Sequence, residues 1–355
     1  MGDKDYKFVE HEKPWRYQED GYTVTRGSAW TGPGCHLGCG VLLYTDEDGK
    51  LVKVEGDPEN PYNGGRLCVR CLDLPEVTNH PDRLLYPMKR AREDRGKNKW
   101  ERISWDEAVD LVAGKLIEIR DKYGAESVVF GQGTGRDIAS WITRLAWSYG
   151  SPNYTCFALS GLACYLPRVA GMAATCGGYT VADCSQQFPD RYDNPNWRCP
   201  ELMVVWGNYP LRANSDGFYG HWMIDLLKQG MKFIMVDPRV TWLSLKAEEH
   251  LRLRPGTDAA LVAGIAHYLI QHDMCDMDFL HTYCVGFDEQ TMPEAYKGKN
   301  MSYFDYVMGT GYDKVEKTPA WAAKVTGIPE KKIEELAEEI GTTKPLFVCQ
   351  GWGPQ

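Results

Sequence analysis

Residues 201–239 read ELMVVWGNYPLRANSDGFYGHWMIDLLKQGMKFIMVDPR. The segment opens on a short apolar run, Leu202–Trp206, which ends in Gly207-Asn208-Tyr209-Pro210. A helical stretch follows at about Gly220–Lys228. A second apolar run, Phe233–Val236, then ends in Asp237-Pro238-Arg239. Short apolar runs separated by a helix have the pattern of strands buried on both faces. Outward from this unit, Ser127–Phe130 and Leu346–Cys349 read as further strands, and Asp258–Gln271 and Glu330–Ile340 as helices. The alternation predicts a doubly wound α/β fold, a parallel sheet with helices on both faces.

The predicted strands run out into Gly131-Gln132-Gly133-Thr134-Gly135, Gly207-Asn208, Asp237-Pro238-Arg239 and Gln350-Gly351-Trp352-Gly353. Open α/β sheets bind ligands beyond the carboxyl ends of their strands. Glycines admit a phosphate to the backbone amides, and helix N-termini favour anions. One such turn says little; four together point to a nucleotide-like cofactor. The chain stops at Gln355, just past a strand and its glycine turn, which suggests a fragment of a longer protein.

Upstream, residues 1–95 are rich in Gly, Pro, Asn and Asp. Val41–Tyr44 and Leu51–Val54 flank Asp48-Gly49, a hairpin signal. A charged stretch, Lys89–Lys99, leads to Ser104-Trp105-Asp106-Glu107, which reads as a capping box. Val109, Val112, Leu116 and Ile119 then fall at helical spacing, and Gly124 follows the helix end.

The chain has 355 residues, 43% hydrophobic and 25% charged, with a net charge of −9. That charge argues against a nucleic-acid partner, and no basic run stands out. No apolar stretch approaches a membrane span, and the first residues show no signal peptide, so a cytoplasmic setting is expected. Twelve cysteines are too few for a disulfide scaffold of this length, which favours metal ligation for clustered pairs. Cys35-His36-Leu37-Gly38-Cys39 and Cys68-Val69-Arg70-Cys71 lie in glycine-rich segments. Four thiolates hold either a [4Fe–4S] cluster or zinc, and spacing alone leaves both open.

Several motifs keep one order along the chain. They are Gly34-Cys35 through Cys39-Gly40, Asn63-Gly64-Gly65-Arg66-Leu67-Cys68-Val69-Arg70, Asp82 through Lys89, and Trp100 through Ala108. Val205-Trp206-Gly207-Asn208, Asp237-Pro238-Arg239 and Arg254-Pro255-Gly256-Thr257-Asp258-Ala259-Ala260-Leu261 continue the series. Together they resemble the molybdopterin oxidoreductases (the dimethyl-sulfoxide-reductase superfamily). The resemblance implies a small β-rich iron–sulfur domain followed by doubly wound α/β domains, as in domains 1–3 of formate dehydrogenase and dimethyl sulfoxide reductase. Here these would be a [4Fe–4S] domain at 1–95, an α/β domain contacting metal and pterin at 96–200, and a Rossmann-like domain binding pterin–guanine dinucleotide at 201–355.

The implied cofactors are a [4Fe–4S] cluster and bis-molybdopterin guanine dinucleotide with molybdenum or tungsten. Cys35, Cys39 and Cys68 match three cluster ligands. Gly32 stands at the usual first cysteine, so Cys71 is the candidate fourth ligand, with His36 as the alternative. Arg70 stands where a basic residue bridges cluster and pterin. Trp206, Gly207, Asn208, Asp237, Pro238, Arg239, Gly256, Thr257, Asp258, Gly351 and Gly353 are the expected dinucleotide contacts. Asp237 suits a guanine or ribose edge, and Thr257 is positioned to cap the helix from Asp258. Downstream of Gly150-Ser151-Pro152-Asn153, the metal ligand is expected at Cys164, with Ser160 as the alternative.

The wording Trp30 through His36 and Arg66 through Leu72 is similar to the catechol dehydroxylases of anaerobic gut bacteria. That similarity implies reductive removal of a hydroxyl from a small aromatic substrate, with electrons from an iron–sulfur partner subunit. His36 stands where the acetylene-hydratase branch has a catalytic acid, which implies a proton donor, with a histidine hydrogen-bonded to the cluster loop as the alternative. Acetylene hydratase and pyrogallol–phloroglucinol transhydroxylase are the nearest other branches and imply a reaction without net redox change. A non-catalytic iron–sulfur or zinc module is the reading from another class.

Overall fold

The computed structural model describes residues 11–29, 38–132, 139–155, 170–174, 177, 195–212 and 219–351. The chain divides into two units, Met1–Pro167 and Arg168–Gln355.

In the first unit, β1 (Arg16–Glu19), β2 (Tyr22–Ala29), β3 (Cys39–Thr45) and β4 (Leu51–Gly56) form an antiparallel sheet in sequence order. The expected hairpin joins β3 to β4. Asp46 Oδ1 accepts from the amides of Asp48 and Lys50 at 3.1 and 2.8 Å, and Gly49 supplies the positive φ of 77° that the turn requires. Alternation along the strands gives the sheet two faces. Val24, Leu42 and Tyr44 are buried on one, and Ala29, Val41 and Val54 with Cys71 on the other. Two short helices, Val69–Leu72 and Leu74–Thr78, pack on β4.

The rest of this unit is built of short elements. β5 (Met88–Lys89) pairs antiparallel with β6 (Glu101–Arg102), and β7 (Phe130–Gly131) pairs parallel with β8 (Tyr154–Thr155). The helix Trp105–Tyr123 starts where expected, with Ser104 Oγ accepting from the Glu107 amide at 3.1 Å, and ends at Gly124. The reciprocal half of the expected capping box is replaced: the Glu107 carboxylate takes the Lys89 ammonium at 2.6 Å, a stronger, charge-assisted partner. The strand expected over Ser127–Phe130 is also shorter. Ala125–Ser127 form a 3₁₀ turn, closed by Ser127 Oγ donating to the Gly124 carbonyl at 2.7 Å.

The second unit is the doubly wound sheet. β9 (Leu202–Trp206), β10 (Lys232–Val236), β11 (Glu249–Leu251) and β12 (Leu346–Gln350) are all parallel, in the order β11-β10-β9-β12. Leu202, Val204, Trp206, Ile234 and Val236 face the helices Asp258–Gln271, Pro319–Thr326 and Glu330–Thr342. Met203, Val205, Phe233 and Met235 face the helix Tyr219–Lys228 through Trp222, Met223 and Leu226. Burying such a side chain is worth about 1.5–3 kcal/mol, so both faces contribute strongly and the strands read as continuous apolar runs. Strand order reverses at β9, with β10 on one side and β12 on the other. The crevice at the carboxyl ends of β9 and β12 is therefore the topological switch point. Among the described residues no helix is long and apolar enough to cross a membrane.

Candidate functional site

Cys68 lies in extended backbone at the N-terminal boundary of the Val69–Leu72 helix. One turn later comes Cys71, only 1% exposed, among Ala29, Val41 and Val54. The two thiols hydrogen-bond to each other. That bond, then burial, pushes the Cys68 thiol well above its ordinary range, against the opposing effect of the Cys71 and Arg70 amides directed at its sulfur. The net balance favours the neutral thiol, while the amides are donors of the kind that also stabilise a thiolate bound to a metal cluster. Half-buried Arg70 lies between the two cysteines.

Cys39 begins β3 opposite Ala29 and is 3% exposed. Its neighbour Gly40 is clamped by Asn63, itself 1% exposed. Asn63 Oδ1 accepts from the Gly40 amide at 2.8 Å, and its Nδ2 donates to the carbonyls of Gly40 and Arg66, each at 3.0 Å. One side chain thus ties the residue after Cys39 to the residue two before Cys68. The same loop is anchored behind by Arg26, whose Nη1 reaches Asp57 at 2.6 Å and Nη2 reaches Glu59 at 2.7 Å. Asp57 in turn accepts the Gly65 amide at its carbonyl at 2.9 Å. The motif carried Asn63 by resemblance, but its role as a clamp was not read from the sequence.

Among the described residues no three Cys, His, Asp or Glu side chains gather into a metal site. None of the described cysteines is in a disulfide. Cys35, His36, Ser160, Cys164 and Gly353 lie outside the described residues.

In the second unit the described residues among the expected dinucleotide contacts gather along the rim of the sheet. Gly207 and Gly351 follow β9 and β12. A Cβ on Gly351 would lie 1.9 Å from the Gly207 carbonyl oxygen, so glycine is required there and the floor of the crevice is bare backbone. Asn208 Nδ2 donates to Cys349 Sγ at 3.3 Å and spans the two strand ends. Asp237 follows β10. Its Oδ1 accepts from the Arg239 amide at 2.7 Å, and its carbonyl is met by His250 Nε2 at 2.8 Å. His250, on β11, escaped the sequence reading because a single histidine in a short strand carries no pattern.

One expectation changes at Gly256-Thr257-Asp258. Thr257 does not cap the helix Asp258–Gln271: its hydroxyl donates to the Arg254 carbonyl at 2.6 Å, a nearer acceptor in the turn. Asp258 Oδ1 accepts from Trp206 Nε1 at 2.8 Å, which pins the start of that helix to the end of β9. The other half of the pterin-side expectation, Gly150 through Asn153, is an ordered turn. Ser151 Oγ donates to the Val128 carbonyl at 2.6 Å, and the Phe130 amide to the Asn153 carbonyl at 2.9 Å.

Comparison with known proteins accounts for both halves of this arrangement. The molybdopterin oxidoreductase family model matches residues 83–354, and the molybdopterin oxidoreductase Fe4S4 domain matches residues 32–80. The chain is similar to dimethyl sulfoxide reductase DmsA of Escherichia coli (strain K12), 37% identical over 90% of this chain and 40% of that protein. It is also similar to acetylene hydratase of Syntrophotalea acetylenica, 33% identical over 88% of this chain and 38% of that protein. Among solved structures, acetylene hydratase from Pelobacter acetylenicus matches with a TM-score of 0.64 and 26% identity, over 92% of this chain and 40% of that one. The chain spans about two fifths of the length of the curated relatives it matches. It belongs to the molybdopterin oxidoreductase family, and its cofactors are a [4Fe–4S] cluster and a molybdopterin carrying molybdenum.

Proposed function

From this membership we propose that the chain is part of the catalytic subunit of a bis-molybdopterin-guanine-dinucleotide oxidoreductase, with molybdenum or tungsten, that removes a hydroxyl from catechol-type aromatics. The observation that carries the oxidoreductase reading is the family match over residues 32–80 and 83–354, within which Cys68 and Cys71 stand one helical turn apart. Cys71 stands where the family usually has glycine, which supports a cluster with Cys35, Cys39, Cys68 and Cys71 as ligands. Catechol as substrate rests on the local wording at Trp30 through His36 and Arg66 through Leu72.

When bound, the two cofactors supply one-electron transfer and two-electron chemistry at an oxygen atom. The chain's residues supply the rest. Arg70 holds a positive charge next to the thiolates, which favours an added electron. His36 donates a proton. Cys164, or Ser160 in its place, would hold the metal. Asp237 would offer its Oδ2 edge to guanine or ribose, and the Gly256–Asp258 turn would approach a phosphate. The balance is one aromatic hydroxyl, two electrons and two protons giving the arene and water. The electrons come from an iron–sulfur subunit. The division into domains at about residues 95 and 200 is part of this reading. So is a cytoplasmic setting.

The likeness to acetylene hydratase favours a second reading, hydration or hydroxyl transfer without net redox change. Anaerobic expression with metal analysis and a catechol assay tests both. Iron together with molybdenum or tungsten, and loss of the para-hydroxyl with consumption of two electrons, is the expected result. Turnover without electron consumption selects the second reading. Zinc alone, with no turnover, defeats both.

A further inference from the structure

One surface of the first unit is used by neither the cysteines nor the rim. Lys89 through Arg102 carries seven cations against three carboxylates, in a chain whose net charge is −9. The β5–β6 pairing folds this segment back on itself, with Met88 opposite Arg102 and Lys89 opposite Glu101. Folding uses up part of the charge. Asp94 takes Lys97 and Lys99 at 3.4 and 3.3 Å, and Lys89 goes to Glu107. Among the described residues Arg90, Arg92, Arg95 and Arg102 meet no carboxylate.

Two of these arginines are held in place by aromatic rings. Arg90 lies over Trp100 at 4.4 Å from the ring centre, and Arg102 over Tyr86 at 3.2 Å. A guanidinium stacked by its face keeps its N–H edges for a planar acceptor, and holding it still lowers the entropy lost on binding. Between the arms lies a recess of about 730 Å³ lined by Lys89, Arg90, Asp94, Asn98, Lys99 and Trp100. Exposed apolar side chains flank the segment in sequence: Leu84, Leu85, Tyr86, Met88 and Trp105, with Leu84 80% exposed.

We propose that this ribbon is a docking surface for a protein partner that presents an acidic face. The charge calls for carboxylates. The mixture of arginine, aromatic residues and methionine is that of a protein–protein contact. A nucleic acid or an anionic membrane would need a longer cationic track than this ribbon provides.

A short poly-L-glutamate peptide serves as the probe, with the purified protein at low ionic strength. The peptide binds, binding weakens as salt is added, and Arg92→Glu with Arg95→Glu lowers affinity by about tenfold or more. Arg92→Lys with Arg95→Lys keeps most of the affinity, and iron content is the same in all variants. In the unmodified protein, phenylglyoxal labels these arginines, and the peptide protects them. Unchanged affinity in the charge-reversed variant overturns the proposal. So does stronger binding of phosphatidylglycerol vesicles or single-stranded DNA than of the peptide, and so does a failure of phenylglyoxal to reach the arginines.

Discussion

Around the cysteines, position is set by polar groups: Asn63 bonds three backbone atoms, and Arg26 bonds Asp57 and Glu59 beneath the same loop. At the rim of β9–β12, position is set by apolar packing on both faces of the sheet, and the polar contacts are added at the strand ends. The difference separates folding from loading. A loop held by a few hydrogen bonds can lose its ligand geometry while the domain stays folded. A rim carried on a packed sheet keeps its geometry until the sheet itself fails.

The strongest attempt to break this comparison is Phe233→Ala. Phe233 is 1% exposed, beneath the helix Tyr219–Lys228. The substitution is expected to cost about 3–5 kcal/mol in denaturant unfolding of the second unit. Iron content of the first unit is expected to stay unchanged. Loss of iron in step with loss of stability would show that the two regions are not separable in this way.

Asn63→Ala comes next and acts on the other side. It leaves the buried Gly40 amide without its acceptor and takes a donor from the carbonyls of Gly40, which keeps the Asp57 amide, and Arg66, a cost of roughly 3 kcal/mol at most. Iron loading is expected to fall sharply, while unfolding of the second unit does not move. Asn63→Asp keeps the acceptor for Gly40 but loses both donors, so intermediate iron content is expected. Full iron content in the alanine variant would remove Asn63 from the account of the cluster loop.

The same division governs what was legible in the sequence. Strands β9, β10 and β12 and the helices from Asp258 and Glu330 follow from apolar periodicity, because a sheet buried on both faces forces that pattern. The rim glycines were legible for the same reason, as interruptions at strand ends. The clamp was not. Asn63 and Arg26 act through single hydrogen bonds between residues far apart in sequence, which leave no period. Glu107 and Thr257 show the limit from the other direction. Each occupies a position where local rules predict a cap, and each has a better partner nearby, Lys89 for one and the Arg254 carbonyl for the other. The ribbon at Lys89–Arg102 reads as an ordinary charged stretch until folding shows which of its cations carboxylates already hold.

A smaller change sharpens the comparison at the rim. Trp206→Phe keeps the ring in the core but removes the indole N–H that Asp258 accepts at 2.8 Å. The loss is about 1.5 kcal/mol, since the acceptor is charged. The expected outcome is lower retention of molybdopterin, with a fall in unfolding midpoint well short of that of Phe233→Ala and no change in iron. A fall in stability as large as that of Phe233→Ala would mean that this hydrogen bond holds the sheet rather than the start of the helix.

The smallest expected effect concerns acid. In the second unit, burial pushes the carboxyls of Asp288 and Asp305 up, but their hydrogen bonds outweigh it and both lie below the ordinary value. Asp288 takes His281 at 2.7 Å and the Thr291 amide at 3.0 Å. Asp305 takes the Ser302 hydroxyl at 2.6 Å and the Thr310 hydroxyl at 2.8 Å. A carboxyl depressed in the folded state contributes stability above its unfolded pKa of about 4, and that contribution is lost as pH falls through the lower folded value. Both groups belong to the segment between the helices Asp258–Gln271 and Pro319–Thr326, away from the sheet's two buried faces. Amide exchange is therefore expected to quicken across residues 281–310 as pH falls below about 4, while β9, β10 and β12 stay protected. If the strands opened at the same pH as this segment, polar contacts would be holding the second unit as they hold the first, and the contrast between the two regions would fail.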